Sequence, residues 1–474
     1  MRMNNMQTSL NDTYNDVSSA MENDKPRFLA LLDEHIDFKE LIPTAFIWTF
    51  YRQIGRPRDY DLESFVRFCV LQKILGIDCN NTFLNILRLS TELREYCRFD
   101  KVPDASKITL FKQDFVYYIK MILDNLVEIT EPICREIDEK KADYLIYDPS
   151  GVEVQVAENN PKFLNTKLIN AKKLSKINPE LNPHSIAYSS MPNFAAANPF
   201  VEQQYINGHI CYAFKTGVLT NGLGIVRDIS FFDDEFKLNH PEVVTKKTDN
   251  PEIDKVIGDS VSLRPVLSDF FDKHPSFSYN TFVADSAFDS YDNFNMLHNE
   301  FNFGRVAIPL NQRNSSSAHS EFDANGTPVC PVDGTPFIFV GDCGGKNRSE
   351  RFKWVCHRSE SAGNTRVLTC ETPCTDSKYG RCVYTYPDKD FRLYPGIARG
   401  TEHWDNLYKH RVLIERTIYL LKEPLCGATC NSLSMRTAKA DLLFAGITQL
   451  LGVILANAID KKHLYKSVRK LIAA

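Results

Sequence analysis

Apolar residues recur with a helical period through the first third of the chain, then shift to a strand-like alternation after Asp143. Asp61 is placed to cap a helix carrying Leu62, Phe65, Phe68, Val70, Leu71 and Ile74, and Gly76 ends it. A second helix is predicted over 82–90. A third, capped within 104–106, carries Ile108, Phe111, Phe115, Ile119 and Ile122 at helical spacing. Residues 27–140 therefore read as an all-helical domain, either a helix-turn-helix-like DNA reader or a plain bundle. Residues 1–26, rich in Asn, Ser and Asp with no apolar core, read as a disordered tail.

The β-prone run Tyr144-Leu-Ile-Tyr147 is predicted to stop at Asp148-Pro-Ser-Gly151. The polar segment 158–199 holds Lys162, Lys167, Lys172, Lys173 and Lys176 without an acid between them. It reads as a solvated loop or, through Lys172 and Lys173, as a DNA contact. Residues 206–218 and 224–232 alternate about Thr220-Asn-Gly222, a hairpin pattern. Residues 250–275 read as helix. A strand over 279–284 follows and ends at Asp285. Next comes a helix capped by Asp289 or Ser290, with Phe294, Met296, Leu297 and Phe301 along it and Tyr291 in the core. Residues 303–395, rich in Gly, Ser, Pro, Cys and aromatics, break the rhythm. They read as a β-rich insertion between 141–302 and 396–474.

Regular helix resumes at 407–422, which no Gly or Pro interrupts. At ~100° per residue, Tyr408, Arg411, Glu415 and Lys422 share an arc of about 60° along ~21 Å of helix, with Leu413, Ile414, Leu420 and Leu421 opposite. On its own, Arg411–Glu415 is an ordinary i, i+4 surface pair. The apolar run 442–459 contains Thr448, Gln449 and Asn457, which favours a buried core helix over a membrane span.

Composition narrows the picture. The 474 residues call for two or three domains, and 43% hydrophobic with 24% charged is a soluble composition. No membrane partner and no signal peptide are expected, which places the protein in the cytoplasm. A net charge of −4 excludes a protein that simply coats nucleic acid, so any DNA contact must be local. The 13 cysteines are not expected to form disulfides. Cys330, Cys343, Cys356, Cys370, Cys374 and Cys382, with His357, fall in the insertion and are candidate ligands for one structural Zn²⁺. The lack of a Cys-x2-Cys pair weighs against that, and reduced, half-buried thiols are the alternative.

Three acids stand at the ends of predicted strands or on the late helix: Asp148, Asp285 and Glu415. Hard oxygen ligands of this kind suit Mg²⁺ or Mn²⁺, and two such ions suit in-line phosphoryl displacement. The stretch Tyr-x2-Arg-x3-Glu-x6-Lys formed by Tyr408, Arg411, Glu415 and Lys422 resembles the motif of a subgroup of DDE-type bacterial insertion-sequence transposases. The segments Tyr-Leu-Ile-Tyr-Asp-Pro-Ser-Gly at Asp148 and Val-Ala-Asp-Ser-Ala-Phe-Asp-Ser at Asp285 look like its two Asp regions, and the resemblance covers residues from about 27 to 460. It implies an α/β fold: a ribonuclease H-like catalytic domain, a mixed sheet with helices, interrupted by the β-rich insertion and preceded by the all-helical domain. It further implies two ions, Asp148 bridging both while Asp285 and Glu415 serve one each, with Tyr408, Arg411 and Lys422 holding phosphates. The implied partner is double-stranded DNA, the element ends and the target, bound by a homodimer at the nucleoid. A nuclease that cuts without joining and a catalytically inactive DNA-binding relative are the competing classes. A glycosidase with paired carboxylates leaves the flanking cations unexplained.

Overall fold

In the computed structural model the described residues are 27–51, 57–206, 209–243, 257–311, 321–345, 348–363, 365–428 and 433–472. The expected disordered tail at 1–26 lies outside them. The chain divides into two compact units, Met1–Ile133 with Leu420–Ala474, and Cys134–Tyr419.

The first unit is helical among its described residues. Leu62–Leu75 forms on the expected apolar positions. Gly76, at φ 68°, closes its last turn by donating its N–H to the Gln72 and Lys73 carbonyls, a conformation a side chain would strain. Asp61 holds the N-cap position but makes no side-chain cap bond. The third expected helix is two, Ala105–Asp114 and Val116–Ile137, because Phe115 leaves helical geometry at φ −119°, ψ 17°. Met435–Ala458 is long and apolar enough to cross a membrane, yet 89% of its most apolar window is buried in protein. Asp441 on this helix is paired with Lys73 at 2.7 Å and Lys112 at 2.8 Å, both lysines being buried. Residues 420–474, read from sequence as part of the catalytic domain, thus cluster with the N-terminal helices, where Met435–Ala458 buries most of its apolar side chains and Asp441 meets both lysines.

The second unit is built on one mixed sheet. Its strands are β1 (Tyr144–Glu153), β2 (Phe194–Ala195), β3 (Asn198–Ile206), β4 (His209–Asn221), β5 (Val226–Phe231), β6 (Thr281–Val283) and β7 (Arg305–Ala307). β5, β4 and β1 are antiparallel neighbours, and β6 and β7 continue beyond β1 in parallel. β3 shares β4's outer edge with β5. The β4–β5 hairpin is the one the alternation predicts. The helix Tyr291–Asn299 supplies the crossover that the parallel β6–β7 pair requires.

Several expectations are corrected. β1 does not stop at Asp148. It runs on to Glu153 because β4 is long enough to pair with it, Asp148 opposite Val218 and Pro149 opposite Gly217. β6 pairs only with Tyr144, Leu145 and Ile146, so beyond them β1 has an open edge, the setting in which a strand tolerates proline. The segment 158–199 is not a loop. It contains the helices Pro161–Ile177 and Pro183–Ser189, each started by an Asn cap followed by Pro at the first position. The predicted helix at 250–275 is Asp259–Lys273, its earlier part lying outside the described residues. Ser290, not Asp289, caps the Tyr291–Asn299 helix, and Tyr291 is exposed rather than core.

Arg305–Ala307 belongs to the main sheet, so the insertion begins after it. The insertion holds β8 (Ile338–Gly345), β9 (Arg348–Val355), β10 (Ser359–Ala362), β11 (Thr365–Leu368) and β12 (Cys382–Thr385), as a three-stranded sheet and a hairpin. Its own small core gathers Cys330, Phe337, Phe352, Trp354, Tyr394 and Ala398. Asp289 is fully buried and grips Arg392 by two bonds of 2.8 Å while accepting the Asn311 N–H at 2.7 Å. That bidentate pair pins both ends of the insertion to the main sheet, a role the sequence spacing gave no sign of.

Candidate active site

Ile146, Val283 and Ala307 lie side by side across β1, β6 and β7. They pack in one cluster with Trp404, Leu407 and Ile414, so the helices Glu402–Tyr408 and Arg411–Lys422 cover this face of the sheet. Side chains two residues apart on an extended chain share a face. Asp148 follows Ile146 by two, and Asp285 follows Val283 by two in extended backbone at φ −81°, ψ 177°. Glu415 follows Ile414 on the covering helix. The packing row thus aims Asp148 and Asp285 at one place, and Glu415, a step of ~100° round the helix from Ile414, joins them through Arg411, which pairs with both Asp285 and Glu415.

The opposite face is closed by the Asp259–Lys273 helix, where the Tyr147 hydroxyl meets Ser262 Oγ at 2.8 Å. The covering helix is anchored by Thr417, whose hydroxyl donates to the Gly224 carbonyl at 2.8 Å. Gly224 has φ 78°, and a Cβ there would stand 3.1 Å from Thr417 Oγ1, so both the turn and the close approach require glycine.

Arg411 stands among the acids, 2.7 Å from Glu415 Oε1 and 3.7 Å from Asp285 Oδ2. Burial pushes the Asp148 carboxyl up to about 7. Arg411 opposes that rise, and Asp285, Glu415 and Asp259 add to it. Burial also raises the Tyr408 phenol, with Arg411 opposing and the three acids reinforcing. The Arg411 guanidinium, despite its own burial, is held in its charged form by Asp148, Tyr408, Glu415 and Asp285. These mutual effects define one electrostatic cluster of Asp148, Asp285, Glu415, Arg411 and Tyr408. Glu415 is half exposed, so the cluster opens to solvent.

The stripe differs in detail from its sequence prediction. Tyr408 ends one helix and Arg411 begins another. The joint is wound by three-residue bonds, His410 N–H to Leu407 O, Val412 N–H to Lys409 O and Leu413 N–H to His410 O. The tighter turn breaks the single 100° progression assumed over 407–422. Tyr408 stacks on Trp404, centroids 6.0 Å apart. Lys422 is the last residue of the second helix and is grouped with the helical unit. Lys172 and Lys173 are exposed on the Pro161–Ile177 helix.

Sequence reasoning missed three contributors. Trp404 lies four residues before Tyr408, a spacing that could have flagged the stack. Asp259 and its partner Lys215, 2.7 Å apart, carry no local signal, since their meeting depends on sheet packing.

Three carboxylates suit a hard divalent cation, and the repulsion felt by Asp148 is what such an ion would relieve. Among the described residues no group of three or more His, Cys, Asp or Glu is drawn close enough to hold a metal ion, and a cation already in the cluster is Arg411. In the insertion, burial first, and then Cys330 and Cys356, raise the Cys374 thiol, so these three cysteines are neighbours. Cys370 accepts from Arg358 Nη1 at 3.9 Å, whereas Cys382 and Cys343 border Tyr384.

Residues 17–114 match a family described as Transposase domain (DUF772). No curated protein matches the chain. Among solved structures, a cryo-EM piggyBac transposase synaptic complex with hairpin DNA is similar at 11% identity, over 94% of this chain and 79% of that one, with a TM-score of 0.34. A likeness that distant is too weak to establish a shared fold.

Proposed function

We propose that the protein is a DDE-type transposase of the Tyr-x2-Arg-x3-Glu-x6-Lys subgroup, cutting the ends of an insertion sequence and joining them to target DNA. The observation that carries this reading is the convergence of Asp148, Asp285 and Glu415 on one sheet face around Arg411. The transposase-domain match over residues 17–114 supports it independently. The sheet supports a ribonuclease H-like catalytic domain: three antiparallel strands continued by two parallel ones. One acid lies on the central strand, one lies past the first parallel strand, and one lies on a covering helix.

Mg²⁺ or Mn²⁺ would have to draw Asp148, Asp285 and Glu415 closer than they stand here and take Arg411's place among them; bound there, it would supply activation of the attacking oxygen and stabilisation of the leaving one. The protein's own residues do the rest. Asp148, buried and pressed by Asp285 and Glu415, has its carboxyl raised to about 7, so its bare charge is disfavoured there. Arg411, paired with Glu415 and Asp285, is positioned to take a scissile phosphate in exchange. The Tyr408 ring, backed by Trp404, offers a hydroxyl at the rim of the cluster. A duplex bound here would be held mainly through its phosphates, with one active chain per DNA end in a homodimer.

The test is Mg²⁺-dependent cleavage of a plasmid carrying the reading frame with its flanking DNA. Asp148→Asn, Asp285→Asn and Glu415→Gln should each abolish cutting while leaving DNA binding intact. Wild-type cutting by any one of them would sink the assignment. Products joined to target DNA separate a transposase from a nuclease that only cuts.

A further inference from the structure

Between β1 and β3 the sheet unit carries an excursion that the catalytic cluster does not use. Residues 154–197 contain five lysines and two acids, Glu158 and Glu180, a net +3 in a chain whose total is −4. Most of this charge lies on the Pro161–Ile177 helix.

The helix is fixed in place rather than trailing. The Asn159 side chain donates to the Val154 and Tyr212 carbonyls and accepts the Tyr212 N–H, all within 2.8 Å. Asn160 caps the first turn and Pro161 occupies its first position. Ser175 Oγ reaches the Leu181 carbonyl at 2.8 Å, and Ala171 is buried. Taking Lys162 as zero at ~100° per residue, Lys173 falls near 20°, Lys176 near 320° and Lys172 near 280°. Buried Ala171 falls near 180°, on the far side. Four lysines therefore share about 100° of the solvent face over ~21 Å. All four are exposed, and none has an acidic partner among the described residues.

Resting on the proposed DNA reaction, we infer that the Pro161–Ile177 helix is a second DNA contact, a phosphate-tracking arm that grips the duplex backbone away from the cut. Duplex DNA carries about one charge per 1.7 Å of axis, so a stripe of this length faces ample phosphate to engage every lysine. The arm leaves β1 five residues beyond Asp148, or about 17 Å at ~3.3 Å per residue, from the strand end toward which the acids lie. An anionic membrane surface fits less well. A helix lying in lipid needs a continuous apolar face, and here the exposed Ile169, Leu174 and Ile177 are spread over about 140° and interleaved with the lysines, with Ile169 inside the lysine arc.

The experiment uses the full chain with Lys162, Lys172, Lys173 and Lys176 changed together to Gln. Affinity for a mixed-sequence duplex is measured against salt concentration, with the corresponding all-Arg variant as control. Loss of four phosphate contacts should flatten the log K against log salt slope by about 3.6, at ~0.9 per contact, with the Arg variant near wild type. A slope within about half a contact of wild type overturns the arm. So does binding of the wild type to phosphatidylserine vesicles that the Gln variant loses while its DNA slope is unchanged. Exposed lysines leave the thermal melt unmoved, which excludes misfolding as the cause. Asp148→Asn should keep the full slope. If it also keeps cleavage, the proposed reaction fails while the arm still stands as a DNA contact.

Discussion

Asp441→Asn is the sharpest probe of how the helical unit is held together. In the wild type one carboxylate oxygen receives Lys73 Nζ at 2.7 Å and Lys112 Nζ at 2.8 Å, with Lys73 also donating to the Cys426 carbonyl at 2.8 Å and Lys112 to Asn80 Oδ1 at 3.3 Å. Burial opposes the Asp441 charge, but Lys112 and Lys73 win and hold its carboxyl below the usual range. Asn keeps the oxygen that accepts both ammonium groups but removes the negative charge that balances them. Stripping one partner from a buried ion pair costs about 3–5 kcal/mol. Taking ~4 kcal/mol, and about 2–4 °C per kcal/mol for a unit of this size, the melting temperature should fall by roughly 8–16 °C. Thermal and urea melts followed by far-ultraviolet circular dichroism read this directly. Adding Lys73→Met and Lys112→Met to the Asn variant should recover most of the loss, because the uncompensated charges go with the lysines. The sign with pH is fixed as well. A carboxyl with a depressed folded value contributes stability above its unfolded value, about 3.9, and loses it as pH falls through the folded value. The gap between wild type and Asp441→Asn should therefore narrow below about pH 4. An Asn variant within about 0.5 kcal/mol of wild type at pH 7 would refute the reasoning.

Other outcomes follow from the sheet unit. Asp289→Ala leaves the Arg392 guanidinium and the Asn311 N–H without their shared acceptor, and should cost about 3 kcal/mol, with proteolysis appearing first at the insertion. Wild-type resistance to limited proteolysis would count against that anchor. Gly224→Ala meets both the φ of 78° and Thr417 Oγ1, and should lower the melting temperature by several degrees, about 1–3 kcal/mol. An unchanged melt would mean the turn relaxes. On the zinc reading, with Cys330, Cys356 and Cys374 as neighbours, purified protein should hold about one equivalent of zinc, and less than about a tenth removes it.

Local pattern carried the helices of the first domain, the β4–β5 hairpin and the buried nature of Met435–Ala458, because each rests on periodicity or a turn residue within a few positions. It pointed to Asp148 and Asp285 as acids at the ends of short apolar strands, and to Glu415 through the spacing of Tyr408, Arg411, Glu415 and Lys422 on one helical stretch. What it lacked was anything that depends on a distant partner. β1 runs past Asp148-Pro149 because β4 lies alongside. Asp289 is an anchor because Arg392 returns to it from beyond the insertion. Residues 420–474 cluster with the N-terminal helices, where the apolar Met435–Ala458 helix is buried and Asp441 answers Lys73 and Lys112. The lysine segment looked like a loop because its polar composition outweighed two Asn-Pro starts, which mark helices by their capping geometry. The sequence determined which acids and cations are candidates for chemistry. Only tertiary packing decided which of them meet, because burial, register and charge pairing join residues the chain keeps hundreds of positions apart.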